Sequence, residues 1–317
     1  MHSVVSSVRI NRVSLLGVLG VCSCLYGVRA DTTRPIIGIV SEKSYSSEDS
    51  YIAASYVKFI ESAGGRVAPI LSSSTDEEIN SLFSSINGVL FPGGGVSLNS
   101  SGYGHVGSVV LQLAMKANDA KDYFPVWGTC LGFELLCHLV ADKGTNVLSR
   151  VDATNLPLPL SFTDDAASSR IFSYLTPKLL TQLSSQSITF NSHSWGVATE
   201  MFQSSHLHTF FKMLSTNKDR NGVDFVSTIE SYDYPFYGVQ WHPEKNGFEW
   251  TPHEDIPHTE PAVAVMQGLA NFFVQEARKS SHSFPSASAE EAALIYQHTP
   301  TYTGDHSNFT QIYTFKH

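Results

Sequence analysis

A cysteine between two glycines, a run of three glycines, and a histidine two residues ahead of a glutamate are the parts of this 317-residue chain best suited to chemistry. The first, Gly128-Thr129-Cys130-Leu131-Gly132, stands between an apolar stretch and a helical pattern, which is the small-x-nucleophile-x-small form of a nucleophile elbow. Its glycines let a strand turn sharply and a helix pack behind it, so the thiol emerges at the carboxyl end of the strand. The dipole and free N–H groups of that helix favour the thiolate. The second, Phe91-Pro92-Gly93-Gly94-Gly95, reads by itself as a tight turn. Next to a nucleophile it gains a use, because the N–H of Gly94 or Gly95 with that of Leu131 would supply the two donors an acyl-transfer oxyanion needs. The third, Gly238-Val239-Gln240-Trp241-His242-Pro243-Glu244, offers an imidazole that can hold a thiolate and then protonate a leaving amine, and a carboxylate to orient the ring. Cys137, among Leu135, Leu136 and Leu139, reads as a core residue.

Other chemistries are excluded by spacing. No Gly-Lys-Ser/Thr follows the glycine run, and the G-x-G-x-x-G spacing of a dinucleotide site fails. His253-Glu254-Asp255-Ile256-Pro257-His258 is no zinc-protease helix, since its histidines are not four apart and Pro257 would interrupt the helix. The reading therefore calls for no metal and no cofactor.

Alternating strands and helices must position these segments. Pro35 to Ser41 is a continuous apolar run, as expected for a strand buried on both faces of a parallel sheet. Helical periodicity covers Tyr51 to Ala63 and stops at Gly64-Gly65. Strand Arg66 to Leu71 follows, then a helix opened by the capping box Thr75-x-x-Glu78. Strand Gly88 to Phe91, a helix around Gly107 to Ala120, strand Phe124 to Trp127 and the helix opening at Cys130 complete a β-α-β-α-β-α-β-α series. That series predicts an α/β fold: a doubly wound, mostly parallel sheet flanked by helices. Later strands at Pro157 to Phe162, Ser187 to Asn191, Asp224 to Glu230 and Pro235 to Gln240 are expected to extend the same sheet. Pro261 is expected at the first position of a helix reaching Arg278, and Ser280 to Ser288 reads as a surface connection.

Composition bounds the rest. At 42% hydrophobic and 15% charged the chain is too apolar for disorder and too weakly charged for a coiled coil. A formal charge of −9 without long like-charge blocks argues against a nucleic-acid partner. Arg9 and Arg12 precede an apolar stretch, Val13 to Val28, that ends in a small-residue pattern at Ala30. This predicts a signal peptide over 1–30, too short and too interrupted for a membrane anchor, and a single domain over 31–317. Its removal takes Cys22 and Cys24 with it, leaving Cys130 and Cys137, which on one helix would stand roughly 10 Å apart, too far to bridge. Sequons at Asn99 and Asn308 fit the same secretory route.

Taken together, FPGGG, WGTCLGFELL and YGVQWHPEKN resemble the class I glutamine amidotransferase-like proteins, a flavodoxin-like three-layer sandwich, and within them the γ-glutamyl hydrolases. The resemblance covers nearly the whole mature chain. It implies a small-molecule substrate, with cleavage of γ-linked glutamates from folylpoly-γ-glutamates and antifolate conjugates in the lysosome and after secretion, by a homodimer. By position it implies Cys130 as nucleophile, His242 as general acid/base, Glu244 as third member, and Gly94 and Leu131 as the oxyanion hole. His193, in Phe190-Asn191-Ser192-His193-Ser194-Trp195, matches a further histidine near the substrate. Glu134 and Gln240 are its candidate binding or supporting residues. Two alternatives share these residues: a non-catalytic binder of folate polyglutamates, and the glutaminase of an amidotransferase.

Overall fold

Five residues, Ile36-Ile37-Gly38-Ile39-Val40, form the first strand of the central sheet (β1, Ile36–Val40), and all five are buried. In the computed structural model, which describes residues 31–44 and 49–316, alternate side chains of β1 enter two different cores. Ile37 and Ile39 face a layer made by α1 (Ala54–Ser62) and α5 (Glu260–Arg278), while Ile36 and Val40 face α2 (Asp76–Phe83), α3 (Gly102–Asp119) and α4 (Leu131–Val140). The period of two along a strand thus builds a three-layer sandwich.

The remaining strands are β2 (Arg66–Ile70), β3 (Val89–Phe91), β4 (Val126–Thr129), β5 (Ser161–Phe162), β6 (Phe211–Lys218), β7 (Asp224–Ser231) and β8 (Phe236–Val239). Their order is β2-β1-β3-β4-β8-β7-β6-β5. The first five are mutually parallel and the last three antiparallel, so the sheet is mostly parallel as the sequence predicts. The carboxyl ends of β1, β3, β4 and β8 share one rim, which in such sheets is where sites form. The capping box is present, with Thr75 and Glu78 each bonded to the other's backbone N–H.

Five expectations need correction. Residues Ser50–Ala53 are a strand, and the helix starts only at Ala54, because Ser50–Ala53 pair with the distant tail strand Gln311–Phe315. Strand Thr189–Gly196 leaves the central sheet and pairs instead with Ser149–Leu158 as a separate ribbon. Backbone bonds from His242 N–H to the Phe190 carbonyl (2.8 Å) and from Val226 N–H to the Val197 carbonyl (2.9 Å) tie this ribbon to the sheet. Pro157 to Phe162 is accordingly split between the ribbon and β5. Finally, Glu260 precedes Pro261 in α5, and the Ser-rich stretch gives way to a helix, Ala287–Ala293, capped by Ser286. The expected leader over 1–30 lies outside the described residues. Among the described residues no helix is long and apolar enough to cross a membrane.

Candidate functional site

Cys130 sits between β4 and α4 with φ of +52°, a value that a side-chain-bearing residue rarely adopts. Crowding around the elbow explains its glycines. A Cβ on Gly128 would lie 2.5 Å from the Gly132 carbonyl oxygen, and one on Gly132 would lie 2.1 Å from that of Phe91. Strand, turn and helix can therefore approach each other only with glycine at both places. Leu131 N–H points back at the Cys130 sulfur.

The glycine run is held from below. Gly93 N–H donates to the Tyr56 hydroxyl (2.8 Å), and Gly95 and Val96 N–H donate to Glu42 Oε1 (2.6 and 3.0 Å). Between these pinned neighbours, Gly94 N–H meets no acceptor among the described residues. Gly94 and Leu131 line the same groove as Cys130, which makes their N–H groups the candidates for an oxyanion hole.

His242 follows β8 on the same rim and is 5% exposed. Its Nδ1 is 2.8 Å from Glu244 Oε1 and 3.4 Å from the Tyr56 hydroxyl. The carboxylate accepts, so Nδ1 carries the proton and Nε2 is left as a base. His242 and Cys130 meet across Gly93: a Cβ there would stand 2.7 Å from His242 Cε1 and 3.1 Å from Cys130 Cβ.

Electrostatics depart from the expected thiolate. Burial pushes the Cys130 thiol well up, the charges of Glu134 and Glu244 push it further, and the Leu131 N–H and Lys245 pull it down. The net direction is a thiol in the resting enzyme, because burial outweighs the helix terminus. Glu134, in the first turn of α4, is itself raised to about 8 by burial, although Gln240 Nε2 donates to it at 3.1 Å. It is neutral in mild acid.

Cys130, with Gly94, Gly95 and Ser192, lines two compartments. A groove of 1380 Å³ runs past Leu131, Glu134, His138, His193 and Trp195. A cleft of 220 Å³ runs past His242, Lys245, Glu254, Asn308 and Phe309. His193 is held by Trp195 O at Nδ1 (2.7 Å) and Asn191 Oδ1 at Nε2 (3.2 Å), and burial lowers it to about 4. Gln240 is buried beneath Glu134 with Oε1 lacking any partner among the described residues. Asn99 is exposed at the groove, whereas Asn308, expected as a surface sequon, is exposed yet donates to Glu254 Oε1 in the cleft.

Several residues escaped the sequence reading. Tyr56 lies in the stretch Tyr51 to Ala63, which helical periodicity marks without pointing to a role for its hydroxyl. Glu42 follows β1 at the active rim, and Lys245 adjoins Glu244, which are the signals that would have found them. Glu254 lay inside the rejected zinc pattern; its Oε2 is 2.6 Å from Lys245 Nζ. Among the described residues no group of three His, Cys, Asp or Glu is placed to hold a metal.

An elbow cysteine and a carboxylate-oriented histidine on one rim of a doubly wound sheet are the marks of a cysteine hydrolase of the glutaminase-like α/β class. The family model for peptidase C26 matches residues 35–244, and the chain belongs to that family. It is 46% identical to γ-glutamyl hydrolase of Bos taurus, over 95% of this chain and 98% of that one. With γ-glutamyl hydrolase of Homo sapiens it is 45% identical over the same shares. The glutaminase domain of Trypanosoma brucei CTPS with bound acivicin shares the fold, with a TM-score of 0.52 and 14% identity over 79% of this chain and 96% of that one.

Proposed function

We propose that the protein hydrolyses γ-glutamyl amide bonds, with folylpoly-γ-glutamates and antifolate polyglutamates as substrates, through a thioester on Cys130. The observation that carries this is the elbow thiol at positive φ, bonded by the Leu131 N–H, on the same rim as the Glu244-held His242. Membership of peptidase C26 and the likeness to γ-glutamyl hydrolases support the bond type.

Cys130 Sγ attacks the γ-carbonyl carbon as its proton passes to His242 Nε2. The oxyanion rests on the Gly94 and Leu131 N–H groups. As the C–N bond breaks, His242 returns the proton to the departing nitrogen. Water then attacks the thioester, loses a proton to His242, and the C–S bond breaks to give a carboxyl group and the thiol. Mild acid suits this site, because a neutral Glu134 removes one of the charges that hold the thiol protonated. His193, Glu134 and Gln240 line or support the acyl-side groove. The leader pattern read from the sequence over 1–30 and the sequon at exposed Asn99 support a lysosomal and secreted route, and the family resemblance supports a homodimer.

Pteroyl-pentaglutamate incubated at mildly acidic pH with wild type and Cys130→Ala tests the reading by product mass spectrometry. Shortened chains are expected from wild type, and a loss of about 10⁴-fold or more from the variant. Equal turnover by Cys130→Ala, or tight binding with no cleavage by either protein, overturns it.

A further inference from the structure

The two compartments that meet at Cys130 differ in their place relative to the catalytic groups, in size and in chemistry. Leu131, whose N–H faces the sulfur, lines the larger; His242 lines the smaller. A proton donor to the departing nitrogen must stand on the leaving side, so the smaller cleft receives the leaving amine and the larger groove keeps the acyl part. Drug-sized ligands occupy pockets of roughly 300–1,000 Å³. The 220 Å³ cleft falls below that range, at the scale of one amino acid, and the 1380 Å³ groove exceeds it, with room for a pteroyl-bearing chain.

The cleft also carries matching charges. Lys245 and Glu254 side chains, 4% and 5% exposed, form an ion pair at 2.6 Å. Glu254 Oε1 further accepts from Ser192 Oγ and Asn308 Nδ2, both at 3.2 Å. A buried cation beside a buried carboxylate suits a group bearing both a carboxylate and an amine, which is what cleavage of a terminal γ-glutamyl bond releases.

Part of the cleft lining comes from the far end of the chain. Asn308 and Phe309 line it, in a loop closed by Thr303 N–H on the Thr310 carbonyl (3.0 Å) and Thr303 Oγ1 on the Phe309 carbonyl (2.7 Å). Lys245 Nζ lies 5.5 Å over the Phe309 ring, whose centroid is 6.1 Å from that of Tyr51.

We propose that this cleft is the leaving-group site for a single glutamate, and that the loop Thr303 to Thr310 is the wall that confines cutting to the last γ-glutamyl bond. Lys245 takes the glutamate carboxylate and Glu254 faces its amino end. The proposal rests on the γ-glutamyl hydrolase reading and adds the polarity of the substrate and the cutting pattern.

The test follows released fragments through the first turnovers on pteroyl-pentaglutamate, for wild type, Phe309→Ala and Lys245→Met. Wild type is expected to release free glutamate alone and to yield tetra-, then triglutamate. Phe309→Ala opens the wall, and its ratio of γ-glutamylglutamate to glutamate rises about tenfold or more. Lys245→Met raises KM more than it lowers kcat. If Phe309→Ala fails to fold, Asn308→Ala on the exposed rim of the same wall carries the comparison. Early release of γ-glutamyl oligomers by wild type overturns the proposal while leaving the hydrolase reading intact, as does an unchanged fragment ratio in the wall variants. Absence of any cleavage of pteroyl di- to pentaglutamates by wild type overturns the hydrolase reading, and the subsite with it.

Discussion

Glu134 is the residue where protonation, stability and chemistry meet. Burial raises its pKa from 4.5 to about 8, so the folded state holds a proton that the unfolded chain gives up above 4.5. The stability linked to this proton is full below 4.5 and is lost as pH rises through about 8. Burial lowers His193 from 6.5 to about 4, with the opposite sign: its contribution is present above 6.5 and is lost as pH falls through about 4. Glu134→Gln keeps the shape and removes the titration. Its melting temperature should exceed that of wild type by several degrees at pH 8, at about 2–4 °C per kcal/mol, and match it near pH 5. Thermal scans across pH check this, and parallel curves for the two proteins would refute it.

The elbow is a property of three elements packed without side chains between them. Gly132 lets α4 start against β3, with the Phe91 carbonyl where a Cβ would go. Gly132→Ala must push backbone from backbone, since no flexible side chain is there to yield. A displacement of about 1 Å at the thiol is enough to cost roughly 100-fold in rate. The expected result is a folded protein with kcat/KM down by about that factor, checked by kinetics beside circular dichroism. The glycine run obeys the same logic through hydrogen bonds. Glu42 and Tyr56 hold its neighbours, and Gly94 between them lines the cleft.

At the scale of the whole molecule, the C-terminal tail closes both the fold and the cleft. Gln311–Phe315 pair with Ser50–Ala53, Lys58 Nζ bonds Gln311 Oε1 at 2.7 Å, and Phe315 is buried in the core shared with α1 and α5. Phe315→Ala removes a core ring and should cost about 3 kcal/mol or more, roughly 6–12 °C in melting temperature. Differential scanning calorimetry checks the value, and a shift below about 2 °C would show that the tail docks without contributing to the core.

Local patterns in the sequence determined the strand-helix alternation, the elbow at Cys130, the glycine turn and the order of Cys130, His242 and Glu244. Each depends on residues close in the chain: apolar periodicity, glycines where backbone must approach backbone, and a histidine two residues from its carboxylate. Only the tertiary structure decided where Ser50–Ala53 and Thr189–Gly196 pair, because their hydrogen-bond partners lie far away or in another sheet. Only it placed Glu42 and Tyr56 under the glycines, and Lys245, Glu254, Asn308 and Phe309 around one small cleft. It also reversed the expected charge of the Cys130 thiol. A helix terminus can be read from sequence, but desolvation comes from everything packed around the sulfur, and here burial outweighs the terminus.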